Sequence, residues 1–231
     1  MKRYFAILTF LCAVFAYAGD VAVFVDKGFS DDGNIYVFAQ YGRTDKTFRA
    51  WSEIYTVDVA KNAFVKSDVF KTNPSSATEN KTGRAVYENL DAANFSRLKK
   101  YNLQETSAEQ LLYVATAIEK KGTDKISFQD FGNETKSNYT IDLIPTIEGS
   151  GKNVRSSFFI MLEKKDENGN VLLRKKIGSP DIVRKGVSAY KIEKIFCDKT
   201  GKRIIFVVSK KMEDEAGVSI RYMVEAAVLE D

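Results

Sequence analysis

Phe29-Ser30-Asp31-Asp32-Gly33, followed by Ile35-Tyr36-Val37-Phe38-Ala39, decides the fold class of this chain. Asp-Asp-Gly is a turn signal, because Asp bonds its own backbone and Gly takes the positive φ that a tight turn needs. An apolar, β-branched run, Val21 to Val25, precedes the turn, and a second apolar run leaves it. Two short apolar runs around such a turn predict a β-hairpin.

The pattern repeats outward from that hairpin. Glu53 to Val59 alternates along a strand period, and Lys61-Asn62 turns it into Ala63-Phe64-Val65. Further strands are expected at Ile126–Phe131, Tyr139–Ile147, Val154–Glu163, Val171–Ile177, Tyr190–Cys197, Arg203–Ser209 and Ser219–Leu229. Glu167-Asn168-Gly169-Asn170 and Lys199-Thr200-Gly201-Lys202 are turns between neighbours, which implies antiparallel pairing. The middle differs. Polar Asn73 to Asn80 reads as a loop, and Val86, Tyr87, Leu90, Ala93, Asn94 and Leu98 then recur at helical spacing. Ser107-Ala108-Glu109-Gln110 fits a capping box ahead of Leu111, Leu112, Val114, Ala115 and Ile118. Two helices are predicted, over about 83–100 and 107–121; for the second, a buried strand over Leu111 to Val114 is the alternative. The fold class is mainly β with a helical middle segment (α+β), in antiparallel sheets that are propeller-like or β-sandwich-like. Residues 19–231 are expected to form one β-rich domain, with the helical insertion at about 83–121.

Residues 1–18 read as a cleavable signal peptide. Lys2 and Arg3 open the chain, an uncharged stretch runs from Tyr4 to Ala18, and Ala16-Tyr17-Ala18 is a small-x-small exit. That stretch is about 15 residues, short of the roughly 20 that span a bilayer as a helix. A retained anchor, or lipidation at Cys12, is the alternative; Thr9-Phe10-Leu11 before that cysteine suits lipidation poorly. Cleavage predicts a periplasmic or secreted protein without a transmembrane segment.

Composition narrows the chemistry. The chain has 231 residues and no histidine. Ser-His-Asp and Cys-His catalysis, His-ligated zinc and His general bases are therefore all excluded. Removing the signal takes two of 35 basic residues and none of 31 acidic ones, leaving +2. Neither that charge nor any dense basic stripe calls for nucleic acid. The clusters Arg174-Lys175-Lys176 and Lys210-Lys211 close apolar runs and read as solvated strand ends. Cys197, alone after cleavage, cannot form an intramolecular disulfide and reads as a buried thiol.

Several constellations are candidate sites. Asp26, Asp31 and Asp32 could offer oxygen ligands to a hard cation such as calcium; solvated turn aspartates are the plainer reading. Asp166-x-Asn168-x-Asn170 imitates the start of a calcium loop but has Val171 and Ile177 where Gly and Glu belong. Ser96-x-x-Lys99 and Ser188-x-x-Lys191 match the spacing of Ser–Lys nucleophile pairs and lack companion motifs. Trp51 and Tyr55, near Arg43 and Arg49 around a polar loop, could form a binding patch for peptide or glycan; a core role for the only tryptophan is the alternative.

Two segments echo each other. Phe29-Ser30-Asp31-Asp32-Gly33 with Ile35-Tyr36-Val37-Phe38 matches Phe196-Cys197-Asp198, Gly201 and Ile204-Ile205-Phe206. Each is followed, after a polar loop, by a further strand: Glu53 to Asp58 and Ser219 to Val224. The first unit resembles the blade signature of TolB-type β-propellers, in which an Asp-Gly turn joins two strands. Across the mature chain, Phe24-Val25-Asp26, Gly28-Phe29-Ser30, Asp32-Gly33, Phe38-Ala39-Gln40-Tyr41-Gly42, Glu53-Ile54-Tyr55, Val57-Asp58-Val59 and Arg221-Tyr222-Met223-Val224-Glu225 are similar to a bacterial family of predicted secreted proteins, domain of unknown function 2259. That resemblance implies export and a β-rich fold, and it carries no catalytic residues. The expectation is a non-catalytic binding or assembly module working with envelope proteins and needing no cofactor. The alternatives are a carboxylate-based hydrolase acting on envelope glycans and a calcium-stabilised structural domain.

Overall fold

The computed structural model describes residues 20–116, 125–130, 136–214 and 217–229. Its strands are β1 (Asp20–Val21), β2 (Val23–Phe29), β3 (Ile35–Arg43), β4 (Ala50–Asp58), β5 (Ala63–Thr72), β6 (Leu111–Val114), β7 (Lys125–Asp130), β8 (Ser137–Glu148), β9 (Arg155–Lys165), β10 (Val171–Ile177), β11 (Arg184–Lys185), β12 (Val187–Cys197), β13 (Arg203–Asp214) and β14 (Gly217–Val228). Helix α1 (Gly83–Leu98) lies between β5 and β6. The mainly β, antiparallel expectation holds. One short pairing departs from it: β1 runs parallel to β14, Asp20 opposite Ser219.

Three sheets stack. The N-terminal sheet has the order β2-β3-β4-β5, the middle sheet β1-β14-β13-β12-β6, and the outer sheet β10-β9-β8-β7 with β11 beside β9. Period two along each strand explains the stacking. In β13, Ile204, Phe206 and Val208 pack toward the outer sheet's Ile141, Phe158 and Ile160. Ile205 and Val207 point the other way, onto Tyr36, Phe38 and Val57 of the N-terminal sheet. A strand buried on both faces reads as an unbroken apolar run, as Ile204 to Val208 does. In β3, Tyr36 and Phe38 meet the middle sheet, whereas Val37 and Ala39 meet α1 through Leu98 and Leu90. This face-to-face stacking is of the sandwich-like kind.

The two echoing segments are both hairpin turns, and they lie side by side. Asp32 Oδ1 accepts from the Asn34 amide at 3.0 Å, and Asp198 Oδ1 accepts from Lys202 and Arg203 amides at 2.9 and 3.0 Å. Arg203 joins them, donating to Asn34 Oδ1 at 2.8 Å. Gly28 is required for a different reason: with φ +90°, a Cβ there would lie 1.8 Å from the Gln104 carbonyl oxygen.

The first predicted helix is present. Thr82 caps α1 by accepting from the Ala85 amide at 3.1 Å. Asp68 of β5, buried, pins the other end through Lys100 at 2.6 Å and Arg97 at 3.2 Å. The second helix is not. The Ser107–Gln110 capping box forms, but it closes a single 3-10 turn, and Leu111 to Val114 is a strand. β6 covers the edge of β12, with the Ala115 amide donating to the Glu193 carbonyl at 2.8 Å. Pairing an otherwise open sheet edge satisfies backbone groups that a further helical turn would leave unmet. Residues 117–121 of that predicted helix lie outside the described residues, as does the signal segment 1–18.

Candidate functional site

The sequence-derived site residues fall in several places. Trp51 is only 4% exposed, in the layer between the N-terminal and middle sheets, with the Arg221 guanidinium 4.0 Å above its ring. Arg43 donates to the Phe48 carbonyl at 3.0 and 2.8 Å, and Arg49 pairs with Glu79 at 3.5 Å. Tyr55 lies further along β4 and lines a groove that touches none of the other three. The structure therefore does not bring the four into one patch.

The three aspartates are separately engaged. Asp26 accepts from the Gly28 amide and the Tyr36 hydroxyl, both at 2.9 Å. Asp31 accepts from Asn102, and Asp32 from Ser30 and Asn34. Among the described residues no group of three or more His, Cys, Asp or Glu is placed to hold a metal ion. Asp166 closes the hairpin turn onto Asn170 at 2.8 Å. Ser96 and Lys99 are both exposed, Lys191 faces Glu193 at 3.7 Å, and Cys197 is buried as expected.

The groove beside Tyr55 has a cavity volume of about 550 Å³. It follows β14, flanked by the β4–β5 hairpin on one side and the segment between β10 and β11 on the other. β14 is an edge strand over this stretch, so alternate backbone groups point off the sheet. Side chains of the N-terminal sheet meet two of them. Gln40 Oε1 accepts from the Tyr222 amide at 2.8 Å, and Asn62 Oδ1 accepts from the Ala226 amide at 2.7 Å. Asn62 sits in the β4–β5 turn with φ 49°, a conformation that asparagine tolerates. Its amide also donates to Glu225. Val224, midway between the two capped amides, lines the groove.

The walls join rings to charges. Tyr55 and Phe64 lie 4.9 Å apart, and Phe64 and Ile182 leave apolar surface exposed at the rim. Burial, then the Glu53 carboxylate that its hydroxyl bonds at 2.7 Å, pushes Tyr55 up to about 12. Glu225 is buried, and that burial raises its carboxyl above the ordinary range against the opposing Asn62 bond and Arg184 charge. Arg184 reaches Glu225 at 3.7 Å and stacks over Phe158 at 5.0 Å. Lys210 was expected at a solvated strand end. It is instead a half-buried lysine on the groove wall, and no hydrogen bond or ion pair closes on its ammonium among the described residues. Desolvation, then the nearby Arg184 charge, lowers its pKa.

Sequence reasoning missed Lys210, Arg184 and Glu225. Parity held a signal for two of them. Lys210 shares it with Ile204, Phe206 and Val208, and Glu225 shares it with Met223 and Ala227, all core residues. A charge in register with a core row is not an ordinary strand end. A second groove of about 630 Å³ lies between β2 and α1, but its Lys27 is closed on Asp91 at 2.7 Å.

Stacked antiparallel sheets, one flanking helix and an open groove at a sheet edge define a mainly β protein with a small-ligand-sized cleft. The model of a family described as predicted secreted protein, domain of unknown function 2259, matches residues 37–227, and the chain belongs to that family. Membership agrees with the expected export. No curated protein and no solved structure matches the chain. Among the described residues no helix is long and apolar enough to cross a membrane.

Proposed function

We propose that this member of a secreted family is a non-catalytic binding module and that the β14 groove is its ligand seat. The groove itself supports the reading most: an open, ring-lined cleft of about 550 Å³ with convergent polar groups at a sheet edge. Two-carboxylate glycoside hydrolysis needs an acid and a base or nucleophile across one bond. Among the described residues lining this groove Glu225 is the only carboxylate, which favours binding over the hydrolase alternative.

The test is an NMR titration of the ¹⁵N-labelled mature chain with solubilised envelope glycans and peptides, with sugar release followed in the same samples. Saturable shifts centred on Phe64, Arg184 and Tyr222 without sugar release are expected. Sugar release abolished by Glu225→Gln would replace this reading with the hydrolase. No perturbation of the groove by any fraction would remove it.

A further inference from the structure

We propose that the groove is built for a singly charged carboxylate, held by Lys210 and Arg184, with the ligand's apolar or ring-bearing body against Tyr55 and Phe64. This inference rests on the binding reading above and adds the chemical class of the ligand.

The argument is one of local charge. Lys210 feels three cations, Arg184, Lys71 and Arg221, and one carboxylate, Glu53. Each of those cations has its own partner. Lys71 pairs with Glu53 at 3.0 Å, Arg221 pairs with Asp20, and Arg184 faces Glu225 at 3.7 Å. Lys61, the third cation lining the groove, pairs with Asp58 at 2.7 Å, and Lys210 alone has no ion pair among the described residues, so the groove carries one unpaired positive charge. A partly desolvated, unpaired ammonium is costly in a folded protein, and an arriving anion offsets that cost. One negative charge restores balance, whereas a dianion would overshoot beside Glu225.

Arg184 is prepared for the second contact. Its guanidinium is held against Phe158 at 5.0 Å and Tyr190 at 5.9 Å and donates to the Ile182 carbonyl at 3.2 Å. A guanidinium has five N–H donors. Ile182 takes one and Glu225 is a long contact, so donors remain for a carboxylate. A fixed guanidinium loses little freedom when it binds, which favours affinity. The rings of Tyr55 and Phe64 supply a flat apolar surface beside the charge.

Sodium phenylacetate and sodium glucuronate serve as probes, with phenylacetamide and glucose as matched neutral molecules and inorganic phosphate as the competing anion. Each is titrated into the ¹⁵N-labelled mature chain, and the Lys210 ¹³Cε signal is followed through a pH series. The carboxylates should shift the Arg184 and Tyr222 to Glu225 amides saturably and raise the Lys210 pKa. Lys210→Met should weaken carboxylate binding about tenfold or more, and Lys210→Arg should restore most of it. Neutral probes that bind as well as carboxylates, with Lys210→Met unaffected, would overturn the anion inference and leave the binding module standing. Equal or tighter binding of phosphate would overturn the choice of a single charge. A groove perturbed by neither these probes nor envelope material would remove both readings.

Discussion

The middle sheet meets a neighbour on each face, and the two contacts differ in chemistry. Toward the outer sheet the layer is apolar throughout its centre: Ile141, Phe158, Ile160, Ile192, Ile204 and Phe206 are all at most 1% exposed. Toward the N-terminal sheet the layer begins the same way, with Tyr36, Phe38, Ile205 and Val207. It then changes along β3 and β4. Gln40, Glu53 and Trp51 lie between Phe38 and Val57 on that face: Gln40 donates to Glu53 and accepts from the Tyr222 amide, and Trp51 lies under Arg221, which pairs with Asp20 of β1. Apolar surfaces gain by close approach everywhere, whereas polar groups gain only where donors and acceptors align. The first layer is therefore built for stability. The second is held together at particular points, and the groove opens beside it.

Three changes would break or sharpen that contrast. The largest effect belongs to the apolar layer. Phe206→Ala removes a wholly buried ring and should cost about 3–5 kcal/mol in urea unfolding. A loss below about 1 kcal/mol would mean that the layer collapses around the cavity and is less tightly packed than described. Arg221→Ala should cost less, about 2–3 kcal/mol, because it strands the buried Asp20 carboxylate and uncovers Trp51. Its signature is spectroscopic as well, since the indole loses its guanidinium cover; unchanged tryptophan fluorescence would refute the stacked arrangement.

The smallest effect has the opposite sign. Burial, then the charges of Arg184, Lys71 and Arg221, lowers the Lys210 pKa in the folded chain below its ordinary 10.5, with Glu53 opposing. The folded state then binds fewer protons than the unfolded chain between the two values, so its stability rises with pH across that window. At neutral pH the charged lysine costs stability. Lys210→Met should therefore raise the urea midpoint slightly while losing the carboxylate, and the gain should vanish above pH 10.5. A variant destabilised at neutral pH would show that the ammonium has a structural partner. The comparison between layers would then lose its functional side.

Legibility followed the range of the interaction. Hairpins were readable because alternation and turn residues act over a few neighbours, as at Asp32-Gly33 and Asn168-Gly169. The capping box at Ser107 was also real, yet a local signal for helix start says nothing of what waits three residues later. β12 offered an open edge, and Leu111 to Val114 took it. The groove was less legible still. Tyr55 was found as an aromatic near a loop, while Lys210, in a lysine pair at the end of an apolar run, looked like any solvated terminus.

The sequence by itself determined the export expectation, the absence of histidine chemistry, the strands and most turns, and the pairing of two similar hairpins as a motif. Those follow from composition and from periods of two and about four residues, which a linear reading can count. Only the tertiary structure decided which strands stack, that Trp51 is covered by Arg221, and that Lys210 closes no ion pair among the described residues while Lys71, Arg184 and Arg221 each face a carboxylate. Charge balance is a property of what surrounds a group in space. Lys210 and Tyr55 are 155 residues apart in the chain and line one groove, and that proximity exists only once the sheets have stacked.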